Sequence, residues 1–175
     1  MATHSKFNDP NNQACGLVIA PIKTNFKGPG QQVLDDSVQD IIDEAISAYR
    51  PNILFKNFDI KGNGDTFLIY MMVWITHVLN KIQNAQDPKS AEQIVNEICK
   101  DPVPKPNDAG YFMRGLLKDP KSATELEKYQ LYIKQSRQEL AHRLIDIIYT
   151  DGKQSFESKF WFGLAKKNFM NLKYK

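Results

Sequence analysis

The sequence predicts an all-α protein of about five helices, with one apolar helix surrounded by the others. Two observations carry this expectation: a long apolar run in the middle of the chain, and apolar stripes at helical spacing on either side of it, opened by capping residues and closed by Pro or Gly. The run is Phe67 to Ile82, FLIYMMVWITHVLNKI, in which Phe67 to Ile75 is unbroken and Val78, Leu79 and Ile82 extend the set. A helix that is apolar on nearly every side has no face for water and must be enclosed. Periodicity alone also admits a buried strand; length, Met and Leu content, and Asp65-Thr66 ahead of the run favour helix. A membrane span needs roughly 17–25 apolar residues, and Thr76, His77, Asn80 and Lys81 interrupt this one too early. The core is therefore expected around Leu68, Met71, Met72, Trp74, Ile75 and Val78.

In chain order, residues 1–15 are polar and expected to be loose until something ties them down. Gly16 to Ile22 is short, apolar and broken by Pro21, which suits an edge strand or an extended segment. Gly28-Pro29-Gly30 forces a turn. Asp35, Asp36 and Ser37 supply N-terminal caps for a first helix whose stripe is Val38, Ile41, Ile42, Ala45, Ile46 and Tyr49, with Pro51 as its stop. Ile53 to Ile60 reads as extended and could pair with Gly16 to Ile22 as a small two-strand ladder.

After the central helix, Asp87-Pro88 opens a third helix with Ala91, Ile94, Val95, Ile98 and Cys99 on its face. Pro102, Pro104 and Pro106 hold the next stretch extended. Ser122 to Glu125 matches a capping box and opens the longest helix, which runs to the Asp151-Gly152 break. A last helix is expected over about Ser155 to Leu172, with Trp161, Leu164, Ala165, Phe169 and Leu172 on one side. The 175 residues read as one helical domain.

Composition narrows function mainly by exclusion. The net charge of +3 is too small to imply a nucleic-acid partner, although from Asp151 onward six lysines face only Asp151 and Glu157. Cys15 and Cys99 belong to no CxxC pattern and read as reduced structural thiols of a cytoplasmic protein. The N-terminus lacks an apolar signal core, and no direct membrane insertion is expected. His4, His77 and His142 sit in no metal spacing. His77 reads as a hydrogen-bonded boundary residue and His142 as solvated. The stretch from Asp59 to Asp65 fails as a calcium loop, because Lys61 holds the third position and Tyr70 stands where a bidentate Glu is required. No phosphate-binding glycine motif or nucleophile elbow is present, so neither an enzyme nor a cofactor is expected.

The segment FWFGLAKKNFM, Phe160 to Met170, carries more aromatic bulk than one helix face needs, beside a lysine pair. Trp161 and Phe169 as core with solvated lysines is one reading. The sharper reading is a docking surface, in which Phe162 or Met170 joins Lys166 and Lys167, because aromatics and Met are enriched at interface centres and a basic rim suits an acidic partner. An RNA-binding or general protein-interaction module is the alternative, without a recognised RNA motif to support it.

Taken in order, APIKTNFKGPG (20–30), DIIDEAISAYRPNILFKNFDI (40–60), TFLIYMMVWI (66–75), DPVPKPNDAG (101–110), YIKQSRQELAHRL (132–144) and KFWFGLAKKNFMN (159–171) resemble the subunit three family, the twenty-one-kilodalton subunits of the actin-related protein two/three complex. The pattern differs in the polar N-terminus, in Gln83 to Lys100 and in the tail after Asn171. The resemblance implies an all-helical fold with one surrounded helix. It also implies a non-catalytic role in a seven-subunit assembly that nucleates branched actin filaments, with docking on actin-related protein three and a position near the mother filament. A cytoplasmic place in the actin cytoskeleton follows, with ATP bound by the actin-related subunits instead of this one. Together with the residue patterns, it nominates Phe26, Lys27, Lys166, Lys167 and Phe169 for a partner interface.

Overall fold

The computed structural model describes residues 1–174. A hairpin of β1 (Gln13–Ala14) and β2 (Leu17–Val18) precedes α1 (Ile41–Asn52), α2 (Asn63–Ile82), α3 (Pro88–Ile98) and α4 (Ala123–Ile148). A second hairpin of β3 (Tyr149–Thr150) and β4 (Lys153–Gln154) leads to α5 (Ser158–Leu164) and a 3-10 turn at Phe169–Asn171. Among the described residues the fold is helical, with these two small antiparallel ladders added.

Helix α2 is the enclosed element: it packs against α1, α3, α4, α5, β2 and the 3-10 turn. Leu68, Met71, Met72, Trp74, Ile75 and Val78 are each at most 1% exposed. Each such side chain removed from water contributes roughly 1.5–3 kcal/mol, which is why an all-round apolar helix sits inside. Two of its polar side chains find partners on neighbouring elements. The Trp74 indole N–H donates to the Arg137 carbonyl at 3.1 Å, and the Thr76 and Tyr49 hydroxyls share a hydrogen bond at 2.7 Å. No helix among the described residues is long and apolar enough to cross a membrane.

Several helix ends differ from the sequence expectation. Helix α1 begins at Ile41, not near Val38, because Asp40 and Asp43 form a reciprocal capping box and Val38 is left 45% exposed outside it. Pro51 does not end α1; the helix continues to Asn52, and the Ile53 N–H still reaches the Tyr49 carbonyl at 2.9 Å. Helix α2 starts at Asn63 after an N-cap at Gly62, which places Asp65 inside its first turn. Ser122 caps α4 as expected, accepting from the Glu125 N–H at 3.1 Å. The Glu125 carboxylate turns away from the box and accepts from the backbone N–H groups of Lys121 and Cys15, tying the helix start to the β1–β2 hairpin.

The N-terminal ladder exists but closes locally. Cys15 and Gly16, at φ 55° and 80°, make the tight turn between β1 and β2, so the pairing is not with Ile53 to Ile60. That later segment is irregular, and Ile22 makes a single bridge to Gln32 instead. Residues 3–8, expected to be loose unless tied, are tied. Thr3 and Asn52 exchange hydrogen bonds of 2.7 and 2.8 Å, and buried Asp65 accepts from the Ser5 N–H and pairs with His4, both at 2.7 Å. Ser5 and Lys6 both donate to Glu44, and Asn8 accepts from the Gly64 N–H.

The last helix is much shorter than Ser155 to Leu172. It ends at Leu164, and Met170 and Asn171 take left-handed conformations at φ 53° and 59°. The reversal lets the Met170 N–H donate to the Phe55 carbonyl at 3.0 Å and brings Phe169 edge-on to Phe58. A continuous helix could make neither contact.

Candidate functional site

Among the described residues no three His, Cys, Asp or Glu side chains gather as metal ligands would. Burial pushes the Cys15 and Cys99 thiols up to about 11, with Glu125 and Asp119 adding to the rise at Cys15, so both remain protonated and weakly nucleophilic. A concavity of about 560 Å³ beside the start of α2 is lined by Lys61 and Lys118 but by no carboxylate or imidazole with which to move a proton.

The histidines settle differently from the sequence expectation. His142 is half-buried, not solvated: its Nδ1 lies 2.7 Å from the Gln138 carbonyl, and Phe26 packs against its ring at 5.2 Å. His77 is at the boundary, but its Nε2 is buried without a hydrogen-bond partner. Its ring stacks on Tyr174 at 4.0 Å, and burial pushes its pKa down to about 4, with Lys81 contributing.

The five residues nominated for an interface fall into three environments. Phe26 is half-buried and Lys27 exposed, on a loop held by buried Gln135 of α4. The Gln135 side chain accepts from the Gly30 N–H at 2.7 Å and donates to the Phe26 carbonyl at 3.0 Å. A Cβ at Gly28 would lie 2.6 Å from that side chain, so Gly28 is what permits the approach. Lys166 and Lys167 are exposed just beyond α5. Phe169 is only 1% exposed and packed on Phe58, so it offers no surface to a neighbour and belongs to the core.

The exposed aromatic bulk lies elsewhere, at Phe156 (82% exposed) and Phe160 (59% exposed). Phe160, Gly163 and Leu164 line a shallow concavity of about 370 Å³ with Arg50 and Lys159 at its margin. The opposite side of α5 goes inward: Trp161 is buried, stacked on Tyr49 at 5.8 Å and covered by the Arg50 guanidinium. Sequence reasoning included Phe160 in the aromatic segment without nominating it for the surface, and passed over Phe156. Phe156 lies in the turn before α5 and Phe160 on the helix itself, one position from the inward Trp161. Phe162 and Met170 are half-buried against the core.

The chain is similar over nearly its whole length to curated proteins from distant organisms. It is 33% identical to actin-related protein 2/3 complex subunit 3 of Arabidopsis thaliana, over 98% of each chain. The subunit 3 of Schizosaccharomyces pombe is 37% identical, over 89% of this chain and 87% of the relative. That of Saccharomyces cerevisiae is 33% identical over 97% of each. The P21-Arc family, described as the ARP2/3 complex ARPC3 (21 kDa) subunit, matches residues 1–174. These matches lead to one assignment: the chain belongs to the P21-Arc family of 21 kDa ARP2/3 complex subunits.

Proposed function

We propose that this protein is a non-catalytic structural subunit of the actin-related protein 2/3 complex in the cytoplasm, acting as one rigid body. It docks on actin-related protein 3 and lies near the mother filament, where it supports nucleation of branched actin filaments. The observation that carries this reading is the match to the P21-Arc family over residues 1–174. Enclosure of α2 supports the mechanical half: with its central helix gripped from several sides, the body adds interface area without changing shape. A specific assembly needs on the order of 1,000 Å² or more of complementary surface. Phe26 and Lys27 on one loop, and Lys166 and Lys167 beside exposed Phe156 and Phe160, are the residues we assign to such contacts.

Affinity purification of the chain from native cytosol, followed by mass analysis of stoichiometric companions, tests the reading. Recovery of the remaining complex subunits is the expected result, and recovery of the chain alone overturns it. Charge reversal at Lys166 and Lys167 tests the surface: reduced incorporation with an unchanged circular dichroism spectrum is expected, and normal incorporation removes these lysines from the interface.

A further inference from the structure

A polar notch of about 360 Å³ opens where the second half of α2 meets the chain beyond α5. Thr76, His77 and Asn80 stand on the α2 side, and Lys166, Asn168 and Lys173 on the other. Its charge is one-sided. No Asp or Glu lines it, and neither lysine takes part in an ion pair among the described residues, in contrast to Lys23 and Lys100.

The notch also keeps unused donor capacity. Asn80 gives one amide hydrogen to the Ala165 carbonyl at 3.2 Å and keeps a second. The Thr76 hydroxyl is engaged with Tyr49. The His77 Nε2 is buried with no partner, in a ring that burial keeps neutral at physiological pH. Two ammonium groups and a spare amide N–H call for an anionic acceptor. Tyr174, the aromatic ring of the notch, already packs on His77 and Trp74, which leaves no free platform for stacking a nucleic-acid base. The notch has the volume for a side chain or two, not for an extended strand.

We infer that this notch receives a carboxylate side chain presented by a neighbouring protein chain, held between Lys166 and Lys173 with Asn80 as an additional donor. The inference rests on the reading of the chain as an assembled subunit and names one point of contact within it. Charge pairs closed off at an interface contribute to both specificity and affinity.

The test uses the assembled complex and a zero-length carbodiimide reagent, which joins a lysine amine to a carboxylate in direct contact. Lys166 and Lys173 are expected to be linked to an Asp or Glu of another subunit. In competition with the wild-type chain, the double variant K166Q/K173Q should incorporate roughly tenfold less well, and K166R/K173R should stay within about twofold. Normal assembly of K166Q/K173Q without links at either lysine overturns the notch while leaving the proposed function standing, as does linkage only to carboxylates of the same chain. Failure of the wild-type chain to recover any companion subunit overturns both.

Discussion

Arg137 and Cys99 meet inside the protein: the Arg137 guanidinium, 0% exposed, donates from Nη2 to the Cys99 carbonyl at 3.0 Å. The same nitrogen reaches the Asp101 carbonyl at 2.5 Å, and Nη1 donates to the Tyr174 hydroxyl at 3.1 Å. All of these acceptors are neutral, and two of them are carbonyls at the C-terminal end of α3, where a cation complements the helix dipole. The Trp74 ring lies 5.2 Å from the guanidinium carbon. One side chain of α4 thereby holds the end of α3, the C-terminal segment and α2 in register.

Removing that clamp leaves buried carbonyls without donors. Arg137→Ala should lower the unfolding free energy by roughly 2–4 kcal/mol, read from urea denaturation. Arg137→Lys should recover less than half of the loss, because a point ammonium cannot span acceptors that a planar fork reaches together. An Arg137→Ala variant within about 1 kcal/mol of wild type would contradict the clamp.

Asp40 and Arg143 make the second cross-element tie, with bidentate contacts of 2.8 and 2.7 Å between α4 and the cap of α1. Burial alone would raise the Asp40 carboxyl. The Arg143 bonds and the backbone N–H groups of Asp43 and Lys23 outweigh it and hold the group below its ordinary value of 3.8. A depressed carboxyl contributes stability that is complete above the unfolded value and lost as pH falls through the lower folded one. Asp40→Asn should therefore cost roughly 3 kcal/mol at neutral pH and should lose less further stability than wild type below pH 4. Urea midpoints measured from pH 5 to pH 2 check both statements.

His77 acts in a separate window. Its folded pKa of about 4 lies below the ordinary 6.5, so the unfolded chain takes up this proton first. Its contribution is complete above about pH 6.5 and declines as pH falls toward 4. His77→Phe keeps an aromatic ring against Tyr174 and should flatten thermal midpoints across that interval relative to wild type. Parallel curves for the two proteins would show that the buried imidazole does not titrate as described.

Gly64 lets the N-terminal segment lie against the first turn of α2. A Cβ there would fall 2.5 Å from the Ser5 hydroxyl oxygen and 2.9 Å from the Asn8 side-chain oxygen. Gly64→Leu should push residues 3–8 off the helix, leave Asp65 short of donors and raise the rate of proteolytic cleavage near the N-terminus by about tenfold or more. An unchanged cleavage rate would mean that the segment adapts without detaching.

Local chemistry carried much of this architecture into view. The run from Phe67 to Ile75 could only be buried, Asp87-Pro88 and Ser122 opened helices where capping chemistry places them, and the segments resembling subunit three already pointed to the family. The elements that escaped a linear reading answer to distant partners. Helix α1 begins after Asp40, whose capping box with Asp43 is braced by Arg143 on another helix. The last helix ends at Leu164 because Phe55 and Phe58 hold the returning chain.

The nominated surface divides along the same line. That the chain beyond Asp151 would combine aromatics with lysines was determined by the sequence itself, through composition and charge. Which rings face outward was decided only on folding: Phe169 turned into the core while Phe156 and Phe160 stayed in water. Hydropathy and capping act between residues a few positions apart, so they are legible along the chain. The direction of a side chain after a break in a helix depends on what the rest of the fold brings to meet it.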